Sequence, residues 1–223
     1  HHYRVAMPEA VGAERQATKE VATYFMSSKD LKGLELIGEF VDYGIDSLKI
    51  EGRMKTALYL ATVTRAYRGA LDEIFSDKGE KNSNQVSAKW ERELEKLPHR
   101  GYTTGFLDKE ADGEDTYDTD RQSTGEYEMA GQVVDVDFKT NRFAMLCKNR
   151  LYGSESIELM AFGGGVMDVN LSEMKGMEGD LLPLANPGQI VWLEAPSGSI
   201  EPPATLMVAR KKVITPKAVA LSL

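Results

Sequence analysis

The chain is short of the residues on which several chemistries depend. It has one cysteine, Cys147, among 223 residues, so no internal disulfide can form and no cysteine-built cluster or zinc site fits within it. A single thiol suits a reducing compartment, and the cytoplasm is the default expectation. Histidine is almost as scarce: His1, His2 and His99 are all there is, and the first two read as a tag remnant or the cut edge of a longer protein. No His-Glu-x-x-His pair is present, and no metal site is expected. No apolar run approaches the roughly 20 residues that span a bilayer, and the start lacks the basic, apolar and small-residue succession of a secretory signal. No membrane partner is expected. Basic residues are outnumbered, 27 against 35 acidic, for a formal charge of −8. That balance disfavours loose, salt-driven attraction to nucleic acid, while leaving room for a local basic groove on an acidic body.

What is present has the ordinary apolar content of a folded protein. The first twenty-one residues, "HHYRVAMPEAVGAERQATKEV", show neither helical nor strand period. "ATYFMSS" is then a short β-prone run, and "SSKDL" predicts a helix start with Ser27 as N-cap and Asp30 at the capping-box position. Leu31, Leu34, Ile37 and Val41 recur at helical spacing, and Gly44 supplies the stop, with Ile45 to close it by an apolar contact. "IDSLKIE" predicts a second strand. "RMKTALYLATVTRAYRGALDEIF" predicts a second helix with Leu60, Val63, Tyr67, Leu71 and Ile74 on one face. Strand, helix, strand, helix is the pattern of an α/β unit with a parallel sheet.

The stretch "DSLKIEGRMK" concentrates chemistry. On a strand, Leu48 and Ile50 share one face while Ser47, Lys49 and Glu51 share the other, and Glu51, Gly52 and Arg53 fall where strand gives way to loop. In a parallel barrel that rim carries the active site. An ion network sealing the barrel mouth explains the same residues without any ligand, and both readings stand. For Ser28, Lys29 and Asp30 after the preceding strand, capping competes with ligand binding in the same way.

Downstream, "SDKGEKNSNQ" reads as a linker and "VSAKWERELEKL" as a short charged helix ended by Pro98. "HRGYTTGF" offers His99, Arg100 and Tyr102 for stacking a base or side chain and for holding a phosphate or carboxylate, unless its aromatics only pin the loop. "DKEADGEDTYDTDRQSTGE" is an acidic, solvated loop without EF-hand spacing. From Tyr127 the pattern becomes all-β. "YEMAGQVVDVD" and "RFAMLCKN" form a hairpin about "FKTN", "SIELMAF" and "VMDVNL" another about Gly163 to Gly165, with "QIVWLEA" and "TLMVARK" as further strands. The expectation is a small antiparallel β-barrel or closed sandwich. Arg210, Lys211 and Lys212 can meet an RNA backbone or guard a sheet edge. Cys147 reads as a packing thiol.

"YFMSSKDL", "GIDSLKIEGRMKTALYLATVTRAYRGALD" and "LPHRGYTTGFL" together resemble the collagenase-like peptidase family U32, of unassigned catalytic type, in order and spacing. The likeness extends to "YEMAGQVVDV", "KNRL" and "QIVWLEAP". It is closest to the bacterial branch involved in prephenate-dependent 5-hydroxylation of the wobble uridine of tRNA. The resemblance implies α/β plus all-β architecture: the C-terminal strand-helix units of a modified TIM-like barrel in residues 1–80, a linker helix and acidic loop in 81–125, a small β-barrel in 126–213 and a tail in 214–223. It implies an iron-sulfur cluster on cysteines upstream of Tyr3, outside this chain, which then looks like a C-terminal portion that need not be active alone. Its partners would be tRNA, a prephenate-derived or other small-molecule donor, and the upstream part of the same protein. Matching motif residues are Ser28, Lys29, Asp30, Lys49, Glu51, Gly52 and Arg53. Lys49, Glu51 and Arg53 become the catalytic candidates; Ser28, Lys29, Asp30, Gly52, His99, Arg100 and Tyr102 become the substrate-binding ones. A peptidase, as the family name states, and a non-catalytic RNA- or peptide-binding module are the competing expectations.

Overall fold

Leu34, Leu36 and Ile37 pack into the interior as the chain turns from a short 3-10 segment, Leu34–Leu36, into helix α1, Ile37–Asp42. A computed structural model describes residues 28–76, 86, 88–108, 110, 125–196 and 201–213. The run before Ser28, with His1, His2 and Ser27, the polar linker, nearly all of the acidic loop and the tail lie outside the described residues. The chain divides into two compact units, residues 1–33 with 98–124, and residues 34–97 with 125–223.

In the first unit, strand β1 (Asp30–Leu31) pairs in parallel with β2 (Tyr102–Thr103). The Asp30 amide donates to the Gly101 carbonyl at 2.9 Å and the Lys32 amide to the Thr103 carbonyl at 2.8 Å. The expected capping box at "SSKDL" is therefore incorrect. Asp30 enters a ladder, and helix begins only at Leu34, because pairing with the 101–103 segment satisfies the backbone groups a helix would otherwise use.

In the second unit, the stop after α1 forms as its sequence predicts. Gly44 adopts φ 69°, its amide donates to the Val41 carbonyl at 3.0 Å, and the Ile45 amide reaches back to Phe40 at 2.9 Å. These two bonds satisfy carbonyls that the helix end leaves open, and only glycine takes that φ at no steric cost. Ile45 remains 51% exposed. Residues 45–51 form no strand, contrary to the alternation of "IDSLKIE". A strand must exchange hydrogen bonds with a neighbour, and none of the described strands lies alongside.

Helix α2 (Ala57–Ser76) and helix α3 (Ala88–Glu95) pack together. The buried residues of α2 are Leu58, Thr62, Val63, Ala66 and Ala70, so of the expected face only Val63 is fully covered. Small side chains win because they allow close approach: a Cβ on Gly69 would lie 2.1 Å from Cζ2 of Trp90 on α3. Bulkier Leu60 and Tyr67 turn outward or sideways.

The rest of this unit is a curled, six-stranded antiparallel sheet in the order β7-β6-β10-β3-β4-β9. Its strands are β3 (Tyr127–Asp137), β4 (Arg142–Cys147), β6 (Ser156–Met160), β7 (Val166–Asn170), β9 (Ile190–Glu194) and β10 (Val208–Lys212). A two-stranded ladder of β5 (Leu151–Tyr152) and β8 (Leu184–Ala185) accompanies it. Both expected hairpins form. In the first, the Asp137 carboxylate accepts from the Lys139 amide and the Thr140 hydroxyl, fixing the turn. Closure does not occur: β7 and β9 do not pair, so the sheet is a half-barrel rather than a barrel. Phe143, Met145, Cys147, Leu159, Leu171, Met174 and Leu193 fill its concave side.

β10 does not guard an edge. It lies between β6 and β3, and Val208, Ala209, Arg210 and Lys211 are all buried. Alternation vanishes because both faces are covered, one by the sheet core and the other by α2 and α3. No helix among the described residues is long and apolar enough to cross a membrane.

Candidate functional site

The parallel pair β1–β2 gathers most of the expected substrate-binding residues of the first unit. Asp30 is buried, and Arg100 donates from Nη2 to its Oδ1 at 3.4 Å. His99 stacks on Tyr102 with ring centroids 4.2 Å apart and planes 17° apart. Its Nδ1 accepts the Gly101 amide at 3.1 Å, which leaves the proton of a neutral ring on Nε2. Lys32 places its ammonium 5.5 Å from the Tyr102 ring centroid. Lys29 is half-buried, with its aliphatic stem beside Gly101, and Ser28 is exposed. Two segments some seventy positions apart thus join an aromatic stack to cationic side chains, an arrangement suited to a planar, anionic ligand.

The second unit holds the catalytic candidates differently from the expectation. The Lys49 ammonium lies 4.0 Å from Glu51 Oε2, with side chains 87% and 73% exposed. Glu51 Oε1 accepts the Arg53 backbone amide at 3.1 Å, so the carboxylate braces a turn while the Arg53 side chain is exposed. No strand among the described residues lies beneath them to aim them inward. An ion pair in water of this kind contributes about 0–1 kcal/mol. Gly52 is buried, and a Cβ there would meet Leu60 Cδ2 at 2.2 Å. Its close approach is to a neighbouring leucine.

A charged cluster in the same unit escaped the sequence reading. Arg210, 1% exposed, donates to both oxygens of Glu93 at 2.8 and 3.3 Å and from Nε to Glu158 at 2.7 Å. Arg65 donates to Glu93 at 2.9 Å and to the Gly164 carbonyl at 2.6 and 3.1 Å, Lys96 also donates to Glu93, and the Tyr127 hydroxyl donates to Glu158 at 2.8 Å. Burial alone would raise the Glu93 carboxyl, but the hydrogen bonds from Arg210 and Lys96 outweigh it and hold the group down to about 2. Burial, then the bond to Glu158, pushes Tyr127 up to about 12. The cluster ties α2, α3, β3, β6 and β10 into one body. A signal for it existed in "WERELEKL": Trp90, Leu94 and Leu97 make an apolar stripe, and Glu93 falls on that stripe, where a carboxylate requires a cation.

Cys147 is sealed in the sheet core, and burial pushes its thiol up to about 11. No group of His, Cys, Asp or Glu among the described residues is arranged to hold a metal ion. These residues do not fit an iron-sulfur cluster, whose ligands are thiolates.

Residues 1–117 match the sequence model described as Peptidase family U32, and residues 125–207 match that of the Peptidase family U32 C-terminal domain. The chain is 32% identical over 179 residues to tRNA hydroxylation protein P of Escherichia coli (strain K12), covering 79% of this chain and 38% of that protein. It is 32% identical over 140 residues to tRNA hydroxylation protein P1 of Bacillus subtilis (strain 168), covering 63% of this chain and 32% of that protein. A collagenase of Porphyromonas gingivalis is 32% identical over 83 residues, 37% of this chain and 22% of that protein. The chain therefore spans between about a fifth and two fifths of the length of these relatives.

Proposed function

The chain belongs to peptidase family U32, and from that membership we propose that it is the C-terminal portion of a protein acting in hydroxylation of tRNA, with 5-hydroxylation of the wobble uridine as the reaction served. The observation that carries the reading is the assembly of Asp30 and Arg100 beside the stacked His99 and Tyr102 on β1–β2. A nucleobase stacks on such a platform, and a phosphate or carboxylate meets Arg100 and Lys29. Hydroxylation adds an oxygen atom, and no amino-acid side chain carries an oxidant for it. This chain's part is to bind, to orient and to handle protons. Lys49, Glu51 and Arg53 are assigned that last task, completed by the upstream part of the same protein, which would also carry any iron-sulfur cluster and receive a prephenate-derived or other small-molecule donor. Cytoplasmic location is part of the same proposal, since the substrate tRNA is there.

The test restores the full-length protein, wild type or variant, to cells lacking it, and reads 5-hydroxyuridine in tRNA by nucleoside mass spectrometry. Glu51→Gln, Arg53→Ala and Arg100→Ala are expected to fail while remaining soluble. Normal modification by all three would remove these residues from the reaction.

The peptidase reading finds less support. His99, the only described histidine, is stacked on Tyr102 with Nδ1 occupied by Gly101. A collagen-cleavage assay on the same preparations would revive it if cleavage vanished in the same variants. A binding module without chemistry predicts instead that the 223-residue chain shifts tRNA in a gel while the full-length variants retain modification.

A further inference from the structure

Gly101 meets three of the candidate substrate-binding residues of the first unit, two of them through its own backbone atoms. Its amide donates to His99 Nδ1 at 3.1 Å, and its carbonyl accepts the Asp30 amide at 2.9 Å. The Lys29 stem runs past the side where a Cβ would stand, with Cγ, Cδ and Cε 3.5, 3.6 and 3.7 Å from that position. One residue therefore joins the two paired segments to each other and to the ring that stacks on Tyr102.

Each link has a consequence for the platform. The bond from the Gly101 amide to a side chain two positions earlier is the one an Asn or Asp makes in an Asx-turn. It fixes the plane of the imidazole, and with it the stack on Tyr102 at 4.2 Å. It also requires Nδ1 to be an acceptor, so the seated ring is neutral. The carbonyl bond fixes the Asp30 backbone, and the Asp30 carboxylate in turn accepts from Arg100 Nη2 at 3.4 Å. Both bonds leave Gly101 at φ 77°, the left-handed region. The spacing to Lys29 is ordinary van der Waals contact, so a Cβ has room there. What excludes other residues is the backbone angle.

We infer that Gly101 is a positioning residue of the β1–β2 platform: its left-handed backbone orients the neutral His99 ring for stacking and sets Asp30 to hold Arg100. The inference rests on the reading of that platform as the place where the tRNA substrate binds. Gly101 acts through His99 and Asp30 rather than on the substrate itself.

The experiment compares Gly101→Asn with Gly101→Val, side chains of similar bulk. Asn enters the left-handed region readily, and a β-branched residue does not. Full-length protein carrying Gly101→Asn should support 5-hydroxyuridine within about twofold of wild type, and Gly101→Val should lower it about tenfold. His99→Asn separates positioning from simple support of the turn. Its side-chain oxygen can accept the Gly101 amide, so the turn stays closed while the ring is gone, and modification should again fall about tenfold. In the uniformly ¹⁵N-labelled 223-residue chain, a scalar coupling across the N–H···N bond should join residue 101 to His99 Nδ1. It should persist in Gly101→Asn and vanish in Gly101→Val, with an unchanged urea midpoint by fluorescence of Trp90 and Trp192, both in the second unit.

Equal losses in Gly101→Asn and Gly101→Val, normal modification by His99→Asn, or no coupling in the wild-type chain would overturn the inference. Its failure alone leaves Arg100→Ala defective and Gly101→Val normal. Failure of the underlying reading leaves Arg100→Ala, Gly101→Val and His99→Asn all normal, while the coupling is still lost in Gly101→Val.

Discussion

Arg210 and Glu93, 117 positions apart, meet through two hydrogen bonds of 2.8 and 3.3 Å inside the helix-sheet unit. Removing one partner strands the other charge in a poorly solvated place. Arg210→Ala or Glu93→Gln should each lower unfolding free energy by about 3–5 kcal/mol, measured as a reduced urea midpoint at unchanged slope. The double Glu93→Gln, Arg210→Ala variant should lose less than the sum of the two, with a coupling of about 1–3 kcal/mol. Strict additivity would mean that the pair does not act as one.

The same cluster sets the pH limits of stability. Glu93 titrates at about 2 when folded against an ordinary 4.5, so its contribution is complete above pH 4.5 and is lost as pH falls toward 2. Tyr127 moves the other way, from 10 to about 12: its contribution is complete below pH 10 and is lost as pH rises toward 12. Stability measured against pH should lose part of its acid limb in Glu93→Gln and part of its alkaline limb in Tyr127→Phe. Ultraviolet titration should show one late-ionising tyrosine fewer in the latter.

Gly69→Ala sets two effects of opposite sign against each other. Alanine favours helix over glycine by about 1 kcal/mol. Its Cβ, however, would sit 2.1 Å from the Trp90 ring, and overpacking of a buried aromatic costs about 1–3 kcal/mol. The clash should win. A lowered melting temperature with altered Trp90 fluorescence is expected, and a stabilised variant would show that the ring yields easily.

Cys147 should ignore thiol reagents at pH 8. Burial removes it from solvent and pushes its thiol up to about 11, so neither access nor thiolate is available. Colour development with a disulfide reagent should appear only with denaturant, at the rate of unfolding.

The β-hairpins were legible because their turns carry their own chemistry, as Asp137 does in "FKTN", and the Gly44 stop because two backbone bonds and one φ define it. Where partners are remote, the sequence was mute or misleading. "IDSLKIE" alternates as a strand should, yet no neighbour among the described residues pairs with it; "SSKDL" looks like a cap, yet Asp30 joins β2 instead. Arg210 looked exposed because charge is the strongest local signal. Only the covering helices, 117 positions upstream for Glu93, make it interior. At the candidate site, the residue types in "SSKDL" and "HRGYTTGF" were readable, while their meeting depended on a ladder that neither segment announces.

The sheet's central plank is its latest to be synthesised. β6 with β7, and β3 with β4 and β9, are joined only through residues 208–212. While a ribosome still shields that segment, the emerged polypeptide holds two ribbons with raw edges, each a template for wrong pairing. Truncation anywhere before Val208 should therefore yield aggregation rather than a smaller folded species.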